Sequence, residues 1–493
     1  MTLEDVEDIE QLRRAALLLE AENQKMSRLI SRLQKRLNQL EGKEAEQLTL
    51  QIAELEQHLG VMRGRMFGDS SEKRPRAKKK ATEEPAEQTG HGPRPQPELP
   101  VIEQVHVADE VDKVCDACGG DLETWDGQFE ESDEVDVLER RFVMKRIKRQ
   151  KYRCRCGQCI ETAPGPTKLQ PGGRYSKDFA VHVAVSKYAD HLPLERQVKI
   201  MKREGLIIDS QTLWDQLNAL ARVVEPVHDK LHAHVLSQPV IGADETYWRL
   251  LGAKGKKKGG VGKRWQTWAV ICPEAVSYRI LDSRSADAAK QVLGGYAGVT
   301  LCDGYSAYQS LQKQGGKFVL AHCWAHVRRK FVETEDQYPA QCGEVLEMIG
   351  KLYGIERDCT GPPEERLALR REKSAAIIKD IHTWALETEA LPQSSLGRAI
   401  AYMGGIWEGL KVFLENPGVE LDNNRTERAL RGVVLGRKNH LGSRSKRGTE
   451  VSALFYSLIE SAKLCGVGPH TYLKAAADAA LRRNAMPLPH ELA

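Results

Sequence analysis

Two interleaved seven-residue series open the chain: Ile9, Ala16, Asn23, Ile30 and Leu37 at one position, and Leu12, Leu19, Met26, Leu33 and Leu40 three residues later. Apolar residues spaced this way form the a and d seam of a coiled coil, which predicts a leucine-zipper-like element over 1–68. After Gly42 the series resumes one residue out of step, with Leu48, Leu55 and Met62 at d and Ile52, Leu59 and Met66 at a, so a skip falls at the glycine. The single Asn23 at an a position favours a parallel pair of chains, a homodimer or higher, over an amphipathic helix packed on its own chain. Over 69–100 the apolar period vanishes into Pro, Glu, Gln and Lys. That composition predicts a linker, whose basic run from Lys73 to Lys80 is either a solvated spacer or an arm for phosphates.

Helical periodicity appears from Ser176 to Ala221, within a helical region assigned to 166–236, in segments around Phe179 to Tyr188, from Leu194 to Lys202 and, after a break at Gly205, from Ser210 onwards with Asp209 and Ser210 as caps. Short helices joined through a glycine turn fit a helix-turn-helix with Gln211 to Arg222 as recognition helix, and equally fit plain helical packing. From Pro239 the texture changes to strands: PVIGADETYWRLL, WQTWAVICPEA, VSYRILDSR, then, after a helical stretch from Ser285 to Leu293, VTLCDGY and FVLAHCW. A core over 237–335 follows. Residues 336–415 read as an all-helical insertion, and 416–493 as a last catalytic helix and a C-terminal helical region.

Composition narrows the partners. At 493 residues the chain is long enough for three or four folding units, and 41% hydrophobic with 29% charged residues excludes the disordered and membrane classes. The N-terminus MTLEDVEDIE is acidic where a secretory signal would be basic, which predicts a cytoplasmic, nucleoid-associated protein. A net charge of +4 is too mild to reveal a polyanion partner, so the distribution has to decide. Cys115 and Cys118, followed by Cys154, Cys156 and Cys159, predict a zinc-binding module over 101–165 with one structural Zn²⁺. Four of the five cysteines suffice, and the second pair is Cys154 with Cys156 or Cys159, or Cys156 with Cys159. Lys145, Arg146, Lys148 and Arg149 give the strand-like run between the knuckles a basic face suited to double-stranded DNA.

Three hairpin-linked strands, a helix and a further strand describe the start of a ribonuclease-H-like sheet, in which an Asp on the first strand and an Asp ending the fourth lie side by side. Asp244 and Asp303 occupy those places. Two Mg²⁺ (or Mn²⁺) ions clamping an in-line phosphoryl displacement need hard carboxylate oxygens from several elements. Glu427, in Asp422-Asn423-Asn424-Arg425-Thr426-Glu427-Arg428-Ala429-Leu430-Arg431, is the candidate third ligand, although taken alone a helical Glu is more often simply solvated. Phosphate contacts are expected from Lys256, Lys257 and Lys258 in the loop after the first strand, from Arg328 and Arg329, and from Arg425, Arg428, Arg431, Arg437 and Lys438. His322 and His326 read as phosphate contact or packing rather than metal ligation, and Glu245 as a structural residue on the face opposite Asp244.

These residues resemble the insertion-sequence transposases of the insertion sequence sixty-six family over nearly the whole chain. The resemblance lies in Met66-Phe67-Gly68 with Ser71 to Arg74, the Cys115/Cys118 knuckle and His191 to Gln197. It continues in Ala243 to Thr246, Cys302 to Tyr305, His322 to Phe331, Asp422 to Arg431 and Gly436 to Asn439. It implies a DDE active site on a ribonuclease-H-like fold, with the three acidic roles on Asp244, Asp303 and Glu427. It also implies terminal inverted repeats and target DNA as substrates, and helper proteins encoded by the same element. Cys154-Arg-Cys156 departs from the wider spacing usual in relatives. The chain thus reads as multidomain α+β: coiled coil, zinc ribbon, helical DNA-binding region, and an α/β catalytic domain with an all-helical insertion. A DNA-binding regulator without catalysis, or a nuclease that cuts without joining, is compatible with the same residues.

Overall fold

The computed structural model describes residues 142–153, 160–251, 263–359 and 361–493. The expected coiled coil and linker, the five cysteines expected to form a zinc ribbon, and Lys256 to Lys258 lie outside the described residues. The run from Phe142 to Gln150, expected as strand, has no regular secondary structure, and pairing starts only at β1 (Lys151–Arg153) with β2 (Ile160–Thr162). Its residues from Val143 onwards are solvent-exposed, including Lys145, Arg146, Lys148 and Arg149.

Three helices precede the main sheet: α1 (Lys177–Tyr188), α2 (Leu194–Arg203) and α3 (Ser210–Leu236). Asp209 caps α3 through its carboxylate, which accepts the Thr212 N–H at 2.7 Å. The helix continues through Pro226 to 27 residues, so Gln211 to Arg222 is the first part of one long element. Its buried stripe, including Leu213, Leu217, Leu220, Val224 and Leu231, lies in the same apolar core as the sheet.

The sheet has five strands: β3 (Val240–Leu250), β4 (Lys263–Ile271), β5 (Val276–Leu281), β6 (Val299–Cys302) and β7 (Val319–His322). Their spatial order is β5-β4-β3-β6-β7, antiparallel among the first three and parallel from β3 to β7. The parallel steps need crossovers, supplied by α4 (Ala286–Leu293) and α5 (Ser306–Lys313). The expected side-by-side placement of the first and fourth strands is present, with Gly242 opposite Leu301.

Beyond β7 the chain is helical: α6 (Trp324–Val332), α7 (Pro339–Asp358), α8 (Pro363–Leu369), α9 (Ala375–Glu387), α10 (Ser395–Gly405), α11 (Trp407–Lys411), α12 (Asn424–His440), α13 (Lys446–Leu464) and α14 (Pro469–Leu481). Alternation along β6 feeds two apolar clusters. Cys302 packs with α1, α3, α13 and α14, and Leu301 with α6, α7, α9 and α10. The insertion therefore covers one side of the sheet. Arg370, buried at its centre, donates to the carbonyls of Phe413, Asn416 and Val419 and pairs with Glu356, so its charge is fully compensated.

Candidate active site

Side chains on β3 alternate, so Ile241, Ala243 and Glu245 are buried on one face while Gly242, Asp244 and Thr246 look out on the other. The start of α12 lies over that second face. Buried Asn423 donates from Nδ2 to the Ala243 carbonyl at 2.8 Å and from its backbone N–H to Cys323 Sγ at 3.2 Å. Thr426 Oγ1 donates to Asn423 Oδ1. A Cβ on Gly242 would collide with that Thr426 hydroxyl, so the close approach requires glycine here. One turn further along, Glu427 N–H donates to the Asn423 carbonyl at 3.1 Å, which sets Glu427 beside Asp244 at an open cleft of about 410 Å³.

Asp303 follows β6 at the neighbouring strand end, where Oδ1 accepts the Tyr305 N–H at 2.9 Å and closes a tight turn. The next residue, Gly304, packs under Tyr402 of α10, so the insertion holds this turn from above. His322 is buried at the end of β7 with Nδ1 3.2 Å from the Asp303 carbonyl. Asp303 does not line the cleft, but its charge reaches Asp244. Burial first, and then the charges of Glu245, Asp303 and Glu427, push the Asp244 carboxyl up to about 8, against one backbone hydrogen bond from Glu245 that lowers it. Asp244 thus stands beside Glu427 and within the field of Asp303, with no paired cation among the described contacts, and carboxylate oxygens are the donors a hard divalent ion takes.

Glu245 faces the other way, as expected for its strand parity, with a fully buried side chain. It pairs with Arg284 and accepts the Tyr308 hydroxyl at 2.9 Å. Arg284 stacks 3.7 Å from the Tyr305 ring centre, and the Tyr305 hydroxyl donates back to the Arg284 carbonyl at 2.7 Å. A chain of contacts thus runs from the strand carrying Asp244 to the turn carrying Asp303.

Across the cleft, α6 presents His326, with Nε2 3.5 Å from Glu427 Oε1, and Arg329, 3.9 Å from Glu427 Oε2. Arg431 and Lys438 of α12 line the same opening with Leu430, Val434 and Leu435. Arg428 is exposed, Arg328 is half-buried, and Arg425 pairs with Glu420. Arg437 does not fit the expected phosphate role. It is buried, 3.5 Å from the Tyr247 ring centre, and donates to Thr246 Oγ1 at 3.1 Å and to the Tyr247 carbonyl. The spacing 430, 433, 437 places it on the apolar stripe of Leu430 and Val433, a signal already present in the sequence. Asn423, Thr426, Arg284 and Tyr308 were not singled out from the sequence. Asn423 and Thr426 stand within the Asp422 to Arg431 motif, whereas nothing local marks Arg284.

Residues 172–451 match the family model described as "Transposase IS66 family". A Sinorhizobium fredii protein, "Uncharacterized protein y4jD", is 32% identical over 483 residues, covering 95% of this chain and 92% of the relative. "Uncharacterized protein y4hP" of the same organism is 30% identical over 397 residues, covering 76% and 71%. Among solved structures, "Mos1 transposase paired-end complex with left transposon end" aligns at 12% identity with a TM-score of 0.12, covering 54% of this chain and 84% of that one.

Proposed function

Because the chain belongs to the IS66 transposase family, we propose that it cuts DNA at the ends of its element and joins the freed 3′-hydroxyl to target DNA at the cleft holding Asp244 and Glu427. The observation that carries this reading is the convergence of Asp244 from β3, Glu427 from α12 and the field of Asp303 from the end of β6. The strand order, with β3 between β4 and β6, supports a ribonuclease-H-like assignment for the sheet. Two divalent ions, Mg²⁺ or Mn²⁺, bound by the three carboxylates would activate the attacking hydroxyl and stabilise the leaving oxygen of an in-line displacement.

The remaining roles follow from what each side chain touches. Asp244 on β3, Asp303 on the turn after β6 and Glu427 on α12 come from separate elements, and the divalent ions they would hold would offset the charge of an incoming phosphate. His326 and Arg329 orient Glu427, while Arg431 and Lys438 take the phosphates of the strand being cut. Lys145, Arg146, Lys148 and Arg149, exposed and lying in sequence between the two proposed cysteine knuckles, are assigned to DNA phosphates outside the catalytic cleft. In this reading the ribbon cysteines bind one Zn²⁺, the coiled coil pairs two chains so that both element ends are held together, and helper proteins of the same element complete the assembly.

The test is product analysis in cells supplied with the helper proteins and a marked element. Copies joined at new target sites are expected. Broken donor DNA without joined products would reduce the activity to a nuclease, and unbroken donor DNA with binding intact would leave only a DNA-binding protein.

A further inference from the structure

The end of the sheet where β3 begins carries a second group of ligand-type side chains. There β4 runs past its pairing with Gly242 into the turn Cys272-Pro273-Glu274-Ala275 before β5. His234, in the last turn of α3, meets that turn: its Nε2 lies 2.9 Å from Glu274 Oε1. One ligand atom from each of His234, Cys272 and Glu274 falls within 4.8 Å of the others. His490, on the 3-10 turn Pro489–Glu491 near the C-terminus, stacks on His234 with ring centres 4.3 Å apart. Its Nδ1 is buried and makes no hydrogen bond. A buried ring nitrogen left unpaired beside a carboxylate is costly unless a further partner is present.

We infer that His234, Cys272 and Glu274 form a Zn²⁺ site that ties the end of α3 to the β4–β5 turn, with the fourth position filled by water or by His490 once its ring turns out of the stack on His234. A thiolate, an imidazole and a carboxylate suit Zn²⁺, whereas Mg²⁺ prefers oxygen donors alone. Bond lengths of about 2.0–2.3 Å place tetrahedral ligand atoms roughly 3.3–3.8 Å apart, so modest side-chain rotations bring these three donors, now within 4.8 Å of one another, onto one ion. The site does not depend on the DNA chemistry proposed above. Its competitor is a His234–Glu274 ion pair over an inert buried thiol.

The experiment counts zinc per chain in the purified full-length protein after stripping with a chelator and refeeding Zn²⁺. The cysteines before residue 160 take up their own share, so the readout is the difference between wild type and the variants Cys272→Ser and His234→Gln. Each variant should carry one equivalent less, and Co²⁺ in place of Zn²⁺ should give wild type a thiolate-to-metal band that Cys272→Ser weakens. Unchanged zinc content in the folded variants overturns the site. Should Cys272→Ser fail to fold, His234→Gln, whose side chain is one-fifth exposed, decides alone.

Discussion

At the scale of single residues, the site depends on how buried charges are compensated. Glu245 keeps a fully buried carboxylate because Arg284 and the Tyr308 hydroxyl satisfy it. Arg284→Ala leaves that charge with one neutral partner, and urea unfolding should show a loss of about 3 kcal/mol, with Arg284→Lys recovering part of it. His228 is the opposite case, a histidine held neutral. Burial and then the charge of Arg279 push it down to about 3, and Nε2 lies 3.1 Å from Ser457 Oγ. The unfolded chain binds a proton at the ordinary histidine value and the folded chain does not. Stability from this group is therefore full above about 6.5 and lost as pH falls toward 3. Unfolding at pH 5 should be easier than at pH 7 by up to about 2 kcal/mol from His228 alone. His228→Gln should flatten that part of the profile; an unchanged slope would remove His228 as its source.

Among elements, α12 decides where Glu427 stands. Its first turn is fastened to β3 by Asn423 and Thr426 over Gly242, a contact between residues 180 apart in sequence. Gly242→Ala forces that turn off the sheet. Overpacking of this kind costs about 1–3 kcal/mol, and transposition should fall more than DNA binding does. Element identity was legible in the sequence. The five strands are short apolar runs between turn residues, and the position of Asp303 followed from the strand order. The insertion was legible as helix, but its Tyr402 over Gly304 was not, because no local pattern encodes which turn a distant helix covers. The extent of α3 was also hidden, since Pro226 ordinarily argues for a boundary and this helix runs through it. The basic run from Lys145 to Arg149 showed charge and alternation, yet lacks the paired partner that makes a strand.

For the described molecule as a whole, the helices before the sheet and the two long helices after α12 share one apolar core with β3, β4 and β5. Sequence periodicity showed each buried stripe but not that they meet. Leu217→Ala on α3 should cost about 2–5 kcal/mol. In a variant that keeps only the sheet tryptophans Trp248, Trp265 and Trp268, fluorescence and far-ultraviolet circular dichroism from the helices should shift together, because the core is continuous. Separate transitions would show that α3 folds apart from the sheet. Among the described residues no helix is long and apolar enough to cross a membrane. Glu427 illustrates the limit of local reading: alone it is an ordinary helical glutamate, and only the fold sets it at the cleft with Asp244. The most direct measurement is transposition of a marked element in cells containing the helper proteins, comparing wild type with Asp244→Asn, Asp303→Asn and Glu427→Gln, each matched for folding and DNA binding. The account predicts loss in all three, with binding kept. Activity surviving in any one would remove that carboxylate from the site, and activity surviving in all three would contradict the proposed chemistry.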